Sequence, residues 1–177
     1  MTTIEPRLNI PLATAAAMAD TIVSELIDYC TYIQVAGSIR RQCPLVNDID
    51  IVLMPKPGMR ATVRDRALRT QPHVLVNGKS NLELLLHNRI RLDLWIAQDG
   101  QRTLWGQGGH NYGSLLLCRT GSRNHNIQLI DHAQRQGLRW NPYWGVYDAL
   151  GACIASETEE SIFAALNLPY ITPEDRP

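Results

Sequence analysis

The sequence has no excess of basic residues. Seventeen Lys and Arg balance seventeen Asp and Glu, so the formal net charge is zero. Binding that depends mainly on nucleic-acid phosphates usually needs a basic excess, so the overall composition argues against a strongly basic DNA-binding module. The distribution is uneven, because residues 148–177 carry six acidic side chains against one arginine, Arg176. The remainder of the chain is therefore basic.

Several patterns typical of other protein classes are also lacking. Four scattered cysteines form no CxxC pair, which argues against a zinc site or a disulfide framework and favours free thiols in a reducing compartment. No apolar run approaches the length of a membrane span, and the N-terminus lacks the order of a signal peptide. These absences predict a cytoplasmic or otherwise intracellular protein that is not secreted, and we expect a monomer.

A short turn followed by two carboxylates is the most informative feature that the chain does have. The turn is Gly37-Ser38-Ile39-Arg40-Arg41, and Asp48-Ile49-Asp50 follows with nine residues between Ser38 and Asp48. Glycine permits close approach of the backbone to a ligand, and the amides around Gly37 and Ser38 are donors for phosphate oxygens. Arg41 adds a planar guanidinium suited to the same oxygens.

Strand periodicity brings three carboxylates into consideration. Residues two apart on a strand project from the same face, so Asp48 and Asp50 point together while the intervening isoleucines point to the core. The run 89–96 repeats this alternation and places Asp93 on its polar face. A single Asp-x-Asp on such a strand is usually a solvated surface. The glycine-serine turn and the third Asp favour a functional site instead.

Clustered carboxylates repel one another unless a cation holds them together in the ionised form. Oxygen ligands favour Mg²⁺, with Mn²⁺ as a possible substitute. Two such ions, about 3.5 to 4 Å apart, can activate an attacking hydroxyl and stabilise a leaving pyrophosphate. The pattern therefore predicts a nucleotidyltransferase with two metal ions per site, in which Asp48, Asp50 and Asp93 are catalytic and bind the metals.

The order of the motifs resembles that of family X DNA polymerases, the polymerase beta-like branch of the nucleotidyltransferases. In the first part of the chain four motifs match: the glycine-serine turn, Asp48-Ile49-Asp50, Gly78-Lys79 and Arg91-Leu92-Asp93. In the second part the matches are Thr120-Gly121-Ser122, His125-Asn126, Gly137-Leu138, Asn141-Pro142-Tyr143, Glu159-Glu160 and Leu168-Pro169-Tyr170. The resemblance extends from about residue 15 to residue 173, which is nearly the whole chain.

This resemblance implies an α+β fold in two subdomains. A nucleotidyltransferase palm, a mixed sheet with flanking helices and an N-terminal helix, would occupy residues 1–104. A small α+β thumb would occupy residues 105–177. The lyase and fingers domains common in the family would be missing, because too few residues precede Gly37. We expect helices over residues 12–30, 60–70 and 122–136, and we expect His125 and His132 on the surface.

The resemblance also implies roles for single residues. Asp48 and Asp50 would bind both metal ions, Asp93 would bind the catalytic ion near the primer 3′ hydroxyl, and Arg91 would orient the carboxylates. Arg40 would be structural. The residues that would bind the nucleotide are Gly37, Ser38, Arg41, Gly121, Ser122 and Asn126. Three arginines are either contacts to DNA or ordinary surface residues, and both interpretations stay open: Arg123, Arg135 and Arg139.

Two positions depart from the family pattern. Cys118-Arg119 stands where an aromatic pair usually crowds the nucleotide's sugar, and Ile130 stands where a basic residue usually contacts the template. Both departures concern substrate selection, and neither affects the carboxylates. We therefore expect a metal-dependent DNA polymerase that adds nucleoside triphosphates to primer-template or gapped DNA, in repair or viral replication. The alternatives are a template-independent or RNA- or protein-directed nucleotidyltransferase, and an inactive module that binds nucleotides or DNA ends.

Overall fold

The computed structural model describes residues 9–69, 72–98 and 109–177, which form an N-terminal part up to residue 98 and a C-terminal part from residue 109. The elements of the N-terminal part are β1 (Ile10–Pro11), α1 (Leu12–Leu26), a 3₁₀ turn (Ile27–Tyr29), β2 (Cys30–Val35), α2 (Gly37–Arg40), β3 (Leu45–Val46), β4 (Asp48–Pro55), α3 (Arg60–Ala67), β5 (His73–Asn77), β6 (Asn81–Leu85) and β7 (Arg91–Ile96). Those of the C-terminal part are α4 (Tyr112–Thr120), α5 (Arg123–Arg135), β8 (Arg139–Asn141), β9 (Gly145–Tyr147), β10 (Cys153–Ala155), α6 (Glu159–Ala165) and a 3₁₀ turn (Pro173–Asp175). The α+β class expected from the sequence is confirmed.

A mixed five-stranded sheet forms the centre of the N-terminal part. Its strand order is β2-β4-β7-β6-β5, in which β4 and β7 run parallel and all other neighbours run antiparallel. The two strands that carry the aspartates are therefore adjacent, and each has a further strand on its other side. Hydrogen bonds to a neighbouring strand on each side hold the backbones of β4 and β7 in place, and this fixes the direction in which their side chains leave the sheet.

One face of this sheet is the hydrophobic core. The alternation predicted for β4 is confirmed, since Ile49, Ile51 and Leu53 are fully buried. Leu82 and Leu84 of β6 are equally buried and join the same core cluster. Burying an aliphatic side chain of this size contributes about 1.5 to 3 kcal/mol to the free energy of folding. The aliphatic side chains therefore stay on the core face, and the aspartates between them point to the opposite face of the sheet.

Helix α1 covers the core face of the sheet with small and aliphatic side chains. Ala15, Ala19 and Leu26 are buried against the strands. The helix ends at Leu26 and continues as the 3₁₀ turn to Tyr29, so the prediction over residues 12–30 differs only in its last turn. Helix α3 begins at residue 60 as predicted and ends at Ala67, while the predicted end at residue 70 lies outside the described residues.

The C-terminal part has a core of its own. A three-stranded antiparallel sheet in the order β10-β9-β8 packs with α5 and α6 around Leu129, Trp140 and Phe163. The prediction of a helix over 122–136 is confirmed within one residue at each end. Its N-cap is Ser122, whose hydroxyl accepts a hydrogen bond from the backbone amide of His125.

The prediction that His125 lies on the surface is wrong. The residue is 2 % exposed, and its ring centroid lies 5.8 Å from that of Phe163. Burial in this core, with a smaller contribution from the positive charge of Arg176, lowers the pKa of His125 to about 4. His132 on the same helix is partly exposed, and its Nε2 lies 2.9 Å from the carbonyl oxygen of Leu166.

Helix α4 joins the two parts. Tyr112, Leu115 and Leu116 pack against Val52 of β4 and Ala97 after β7, and all of these side chains are buried. The predicted boundary between residues 104 and 105 lies outside the described residues. Among the described residues, no helix combines the length and apolar character that a membrane span requires.

Candidate active site

The strand register brings the predicted carboxylates together. In the parallel β4–β7 pair, Asp50 lies opposite Asp93, and Asp48 lies opposite Arg91. All four side chains leave the sheet on the face opposite the buried isoleucines and leucines. Three carboxylates and one guanidinium thus share a small area of the sheet.

Arg91 bridges two of the carboxylates. Its Nη2 lies 3.1 Å from Oδ2 of Asp48 and 3.0 Å from Oδ2 of Asp93. The guanidinium therefore holds the carboxylates of Asp48 and Asp93 in place, which is the geometry that the predicted orienting role requires. The orienting role itself stays a prediction.

Burial and mutual repulsion raise the pKa values of two of the carboxylates. Burial, reinforced by the charge of Asp48, raises the pKa of Asp50 to about 6. Burial also raises the pKa of Asp93 to about 7, with Arg91 opposing the shift and Asp50 and Glu83 adding to it. Such paired upward shifts are typical of carboxylates that gain from a bound cation.

The donor set fits a divalent cation. Oδ1 of Asp93 is buried and has no hydrogen-bond partner within the part of the chain that the structure describes. An unpaired buried carboxylate oxygen is costly, and oxygen ligands of this kind suit Mg²⁺. Across the described ranges, no three His, Cys, Asp or Glu side chains are already arranged as a metal-ligand group. The assignment of the metals therefore rests on the strand register and on this unpaired oxygen.

The phosphate turn packs directly against the carboxylates. Gly37 opens helix α2 with a φ of +59°, and a Cβ at this position would collide with Oδ2 of Asp50. Only glycine allows both this backbone conformation and this close approach. Oγ of Ser38 is buried and lacks a partner among the described residues, so it is a free group beside the carboxylates.

The predicted nucleotide-binding residues of the C-terminal part meet the turn through Arg41. The Arg41 guanidinium donates a hydrogen bond to the carbonyl oxygen of Thr120, and a Cβ on Gly121 would lie 3.1 Å from its Nη1. Ser122 follows through a cis peptide bond, and its hydroxyl donates to the carbonyl oxygen of Pro177. The structure thus brings Gly37, Ser38, Arg41, Gly121 and Ser122 to one junction between the two parts.

Asn126 lies one helical turn beyond Ser122. Its Nδ2 donates to the carbonyl oxygen of Cys118 at 2.8 Å, while its Oδ1 is buried and has no partner in residues 109–177 or the other described ranges. The three arginines considered for DNA contact are exposed, and they lie on or beside helix α5: Arg123, Arg135 and Arg139. Their role stays a prediction.

Sequence reasoning missed two residues on the polar face of the sheet. Glu83 of β6 lies opposite Asp93 in the antiparallel β6–β7 pair, and Nδ2 of Asn81 donates to its Oε1 at 3.2 Å. Trp95 follows Asp93 by two residues, and its indole N–H donates to Oδ1 of Asp50 at 3.2 Å. Strand alternation was the available signal, because Glu83 lies between two buried leucines and Trp95 between a buried leucine and a buried isoleucine.

Comparison with known proteins identifies the fold. Residues 115–177 match the family model described as DNA polymerase beta thumb. The crystal structure of Leishmania infantum polymerase beta, a ternary P/T complex, superposes with a TM-score of 0.74 at 17 % sequence identity, covering 96 % of this chain and 77 % of that chain. The fold is that of a family X polymerase. No curated protein matches the chain at a significant level.

We use the name thumb for the C-terminal part, which contains the residues that match the thumb model, and the name palm for the N-terminal part. The two departures from the family pattern are then in the thumb. Ile130 is partly buried against the thumb core. Arg119 is half-buried and extends across to the palm, where its guanidinium carbon lies 3.3 Å from the ring centroid of Trp95. The position usually held by an aromatic pair is therefore filled by a stacked cation.

Proposed function

We propose that this chain is a metal-dependent DNA polymerase that adds nucleotides to a primer 3′ hydroxyl and releases pyrophosphate. The observation that supports this most directly is the register of Asp50 opposite Asp93, beside a glycine-serine turn whose hydroxyl is buried and unpaired in the described chain. The family X fold adds a scaffold on which such a reaction is expected. Short-gap filling in DNA repair or viral replication is the process that we propose for it.

Two Mg²⁺ ions bound by Asp48, Asp50 and Asp93 would supply activation of the hydroxyl and stabilisation of the leaving pyrophosphate. The other residues act on position and charge. Arg91 keeps Asp48 and Asp93 at a fixed separation through its two contacts of 3.1 and 3.0 Å. Ser38 and the amide groups of the turn bind phosphate oxygens, and Arg41 supplies positive charge between that turn and the thumb.

The thumb completes the nucleotide site in this proposal. Gly121 and Ser122 lie against the sugar, and Asn126 reaches the minor-groove edge of the incoming base. DNA is the proposed acceptor because the superposed Leishmania polymerase is a P/T complex. The exposed arginines on or beside α5 would contact DNA phosphates, with Arg123 nearest to Ser122 along the chain.

A template-independent or RNA- or protein-directed transferase is the second candidate, and the partly buried Ile130 favours it. At this position the family usually has a basic residue that contacts the template, and an aliphatic side chain packed in the thumb core cannot replace that contact. An inactive binding module is the third candidate. The complete set of three carboxylates argues against it.

Primer extension tests these candidates directly. Gapped, recessed and single-stranded DNA are compared with Mg²⁺ and with Mn²⁺. Extension that follows the template sequence on gapped DNA supports the first proposal, and extension of single strands regardless of sequence supports the second. Asp93→Asn is the inactive control, and Asp65→Asn, an exposed palm aspartate on α3, is the matched active control. Absence of extension on every DNA substrate would contradict both the polymerase proposal and template-independent extension of DNA.

A further inference from the structure

A chain of three contacts links the thumb to a carboxylate of the palm. Nη2 of Arg119 donates to the Tyr143 hydroxyl at 2.6 Å, and its guanidinium carbon lies 3.3 Å from the ring centroid of Trp95. The indole N–H of Trp95 then donates to Oδ1 of Asp50 at 3.2 Å. Arg119 and Tyr143 belong to the thumb, whereas Trp95 and Asp50 belong to the palm.

The stack gives Arg119 a defined position. A guanidinium over an indole face contributes about 0.5 to 2 kcal/mol, with the larger values where the pair is shielded from water. Nε of Arg119 is buried without a hydrogen-bond partner among the described residues, so the side chain gains its order from the aromatic ring and from Tyr143. The contacts of Arg119 in turn restrict the orientation of the indole of Trp95.

The orientation of Trp95 decides which oxygen of Asp50 is available. The indole N–H occupies Oδ1, while Oδ2 lies toward Gly37, where an added Cβ would collide with it. Asp50 therefore presents Oδ2 to the phosphate turn, which is where a metal-bound triphosphate would lie. A freely rotating carboxylate would present either oxygen there.

We propose that Arg119 is a positioning residue for Asp50, acting from the thumb through the indole of Trp95. This inference rests on the proposed function, because the orientation of Asp50 matters for a bound metal ion. It also gives a structural role to Arg119, one of the two residues at the first departure from the family pattern, because this charged side chain links the thumb to the proposed metal ligand Asp50. Gly121 lies only two residues after Arg119, so the same segment would position the sugar and the carboxylate together.

Metal affinity distinguishes positioning from simple electrostatics. Arg119→Leu removes a positive charge near Asp50, and a purely electrostatic effect would make Mn²⁺ bind more tightly. Loss of positioning has the opposite effect and would weaken Mn²⁺ binding about tenfold. Mn²⁺ binding is measured by electron paramagnetic resonance without nucleotide or DNA, so the result does not depend on catalysis. Arg69→Leu, which removes an exposed palm arginine, is the matched control and is expected to leave the affinity unchanged.

A double-mutant cycle tests whether Arg119 acts through Trp95. Trp95→Phe keeps an aromatic ring and removes the N–H that binds Asp50, so it should also weaken Mn²⁺ binding about tenfold. If the pathway is correct, the double variant binds Mn²⁺ no more weakly than Trp95→Phe alone. Fully additive losses, or unchanged or tighter binding in Arg119→Leu, would overturn the inference. Tyr143→Phe, which removes only the hydroxyl that Arg119 contacts, should give a smaller loss in a folded protein.

The outcomes separate this inference from the proposed function. Wild-type protein that extends primers and binds Mn²⁺, with the same affinity in all variants, would overturn the role of Arg119 and leave the polymerase proposal intact. Wild-type protein that neither binds Mn²⁺ nor extends primers would overturn both. Thermal unfolding of each variant identifies losses of affinity that come from loss of the folded structure.

Discussion

Glu159 of the thumb and Arg40 of the palm form a two-point ion pair, with oxygen–nitrogen distances of 2.8 and 2.7 Å. Arg176 contacts the same carboxylate at 3.0 Å, and Nη1 of Arg40 also donates to the Thr120 hydroxyl at 2.7 Å. Burial opposes ionisation of Glu159, yet the hydrogen bonds from both arginines lower its pKa. This geometry agrees with the structural role expected for Arg40.

Removing the charge of Glu159 should destabilise the protein strongly. Glu159→Gln leaves two arginines without their carboxylate, of which Arg176 is buried, and breaking a buried pair in this way typically costs 3 to 5 kcal/mol. The adjacent Glu160 is exposed, so Glu160→Gln should change the free energy of unfolding by less than about 0.5 kcal/mol. Urea unfolding of both variants measures the difference, and equal effects would contradict a role for the buried ion pair.

Each of the three aspartates should be essential for nucleotide transfer. Metal ligation supplies several kcal/mol of transition-state stabilisation, so Asp48→Asn, Asp50→Asn and Asp93→Asn should each lower the rate by more than about 100-fold. Asp93→Asn should largely keep metal-dependent nucleotide binding, because Asp93 is assigned only to the catalytic ion. Single-turnover extension and nucleotide titration with Ca²⁺ measure the two properties. Near-normal extension by Asp93→Asn would refute its assignment.

The raised pKa of Asp93 predicts a pH-dependent stability in the absence of metal. Burial raises this pKa from 3.8 to about 7, so between these values the folded protein keeps a proton that the unfolded chain has lost. The free energy of unfolding should therefore fall as pH rises from 4 to 7. Asp93→Asn should remove most of this dependence, leaving the smaller part due to Asp50, whose pKa is raised to about 6, and should stabilise the protein at pH 8 by on the order of 2 to 4 kcal/mol.

Urea unfolding in EDTA at pH 5 and pH 8 measures this effect, with Asp65→Asn as the control. Glu83→Gln should shift the transition to lower pH, because the charge of Glu83 contributes to the raised pKa of Asp93. If Asp93→Asn and the wild-type protein had parallel stability profiles, the aspartate would not be the titrating group.

His125 should make the thumb sensitive to acid. Its pKa is lowered from 6.5 to about 4, so only the unfolded chain binds a proton between these values. The stability due to the neutral ring is complete above pH 6.5 and is lost as pH falls toward 4, with a total on the order of 3 kcal/mol. His125→Leu should have a flatter profile over this range, whereas His73→Leu, at an exposed position, should not. Identical profiles of stability against pH for the two variants would show that His125 is not the group responsible for the acid sensitivity.

Discrimination between deoxyribonucleotides and ribonucleotides is expected to be poor. The aromatic pair that usually crowds the sugar is replaced by Cys118 and Arg119, and Arg119 is drawn toward the palm by its stack on Trp95. Without steric crowding, a pocket rejects an added hydroxyl only about 10²-fold. Single-turnover incorporation of matched nucleotides measures the ratio. A preference for deoxyribonucleotides above about 10³-fold would show that the backbone before Thr120 supplies the crowding.

The candidate site could be located from the sequence because its signals are local. Alternation on β4 and β7 identifies the polar face, and the glycine-serine turn precedes β4 along the chain with only the short strand β3 between them. The order of motifs was enough to predict the family X fold, since each motif occupies a short stretch with a fixed position in the chain. The α5 helix could be predicted in the same way from Ser122 at its start and Gly137 after its end.

Contacts between distant segments could not be predicted in this way. Arg40 and Glu159 are 119 residues apart in sequence, and Trp95 meets Asp50 only because β4 and β7 are neighbours in the sheet. His125 was misjudged because the orientation of α5 on Phe163 depends on how the helix packs on the thumb sheet.

The sequence was sufficient to predict which residues face away from the core, because side-chain periodicity follows from backbone geometry alone. It also determined the chemical type of the site, because carboxylates and a glycine turn limit what can bind there. The position of Asp93, opposite Asp50 and between Asp50 and Glu83, could not be predicted without the fold, because strand order and register depend on packing across the whole sheet. The electrostatic character of the site follows from that packing, since burial and neighbouring charges shift the pKa values of its carboxylates.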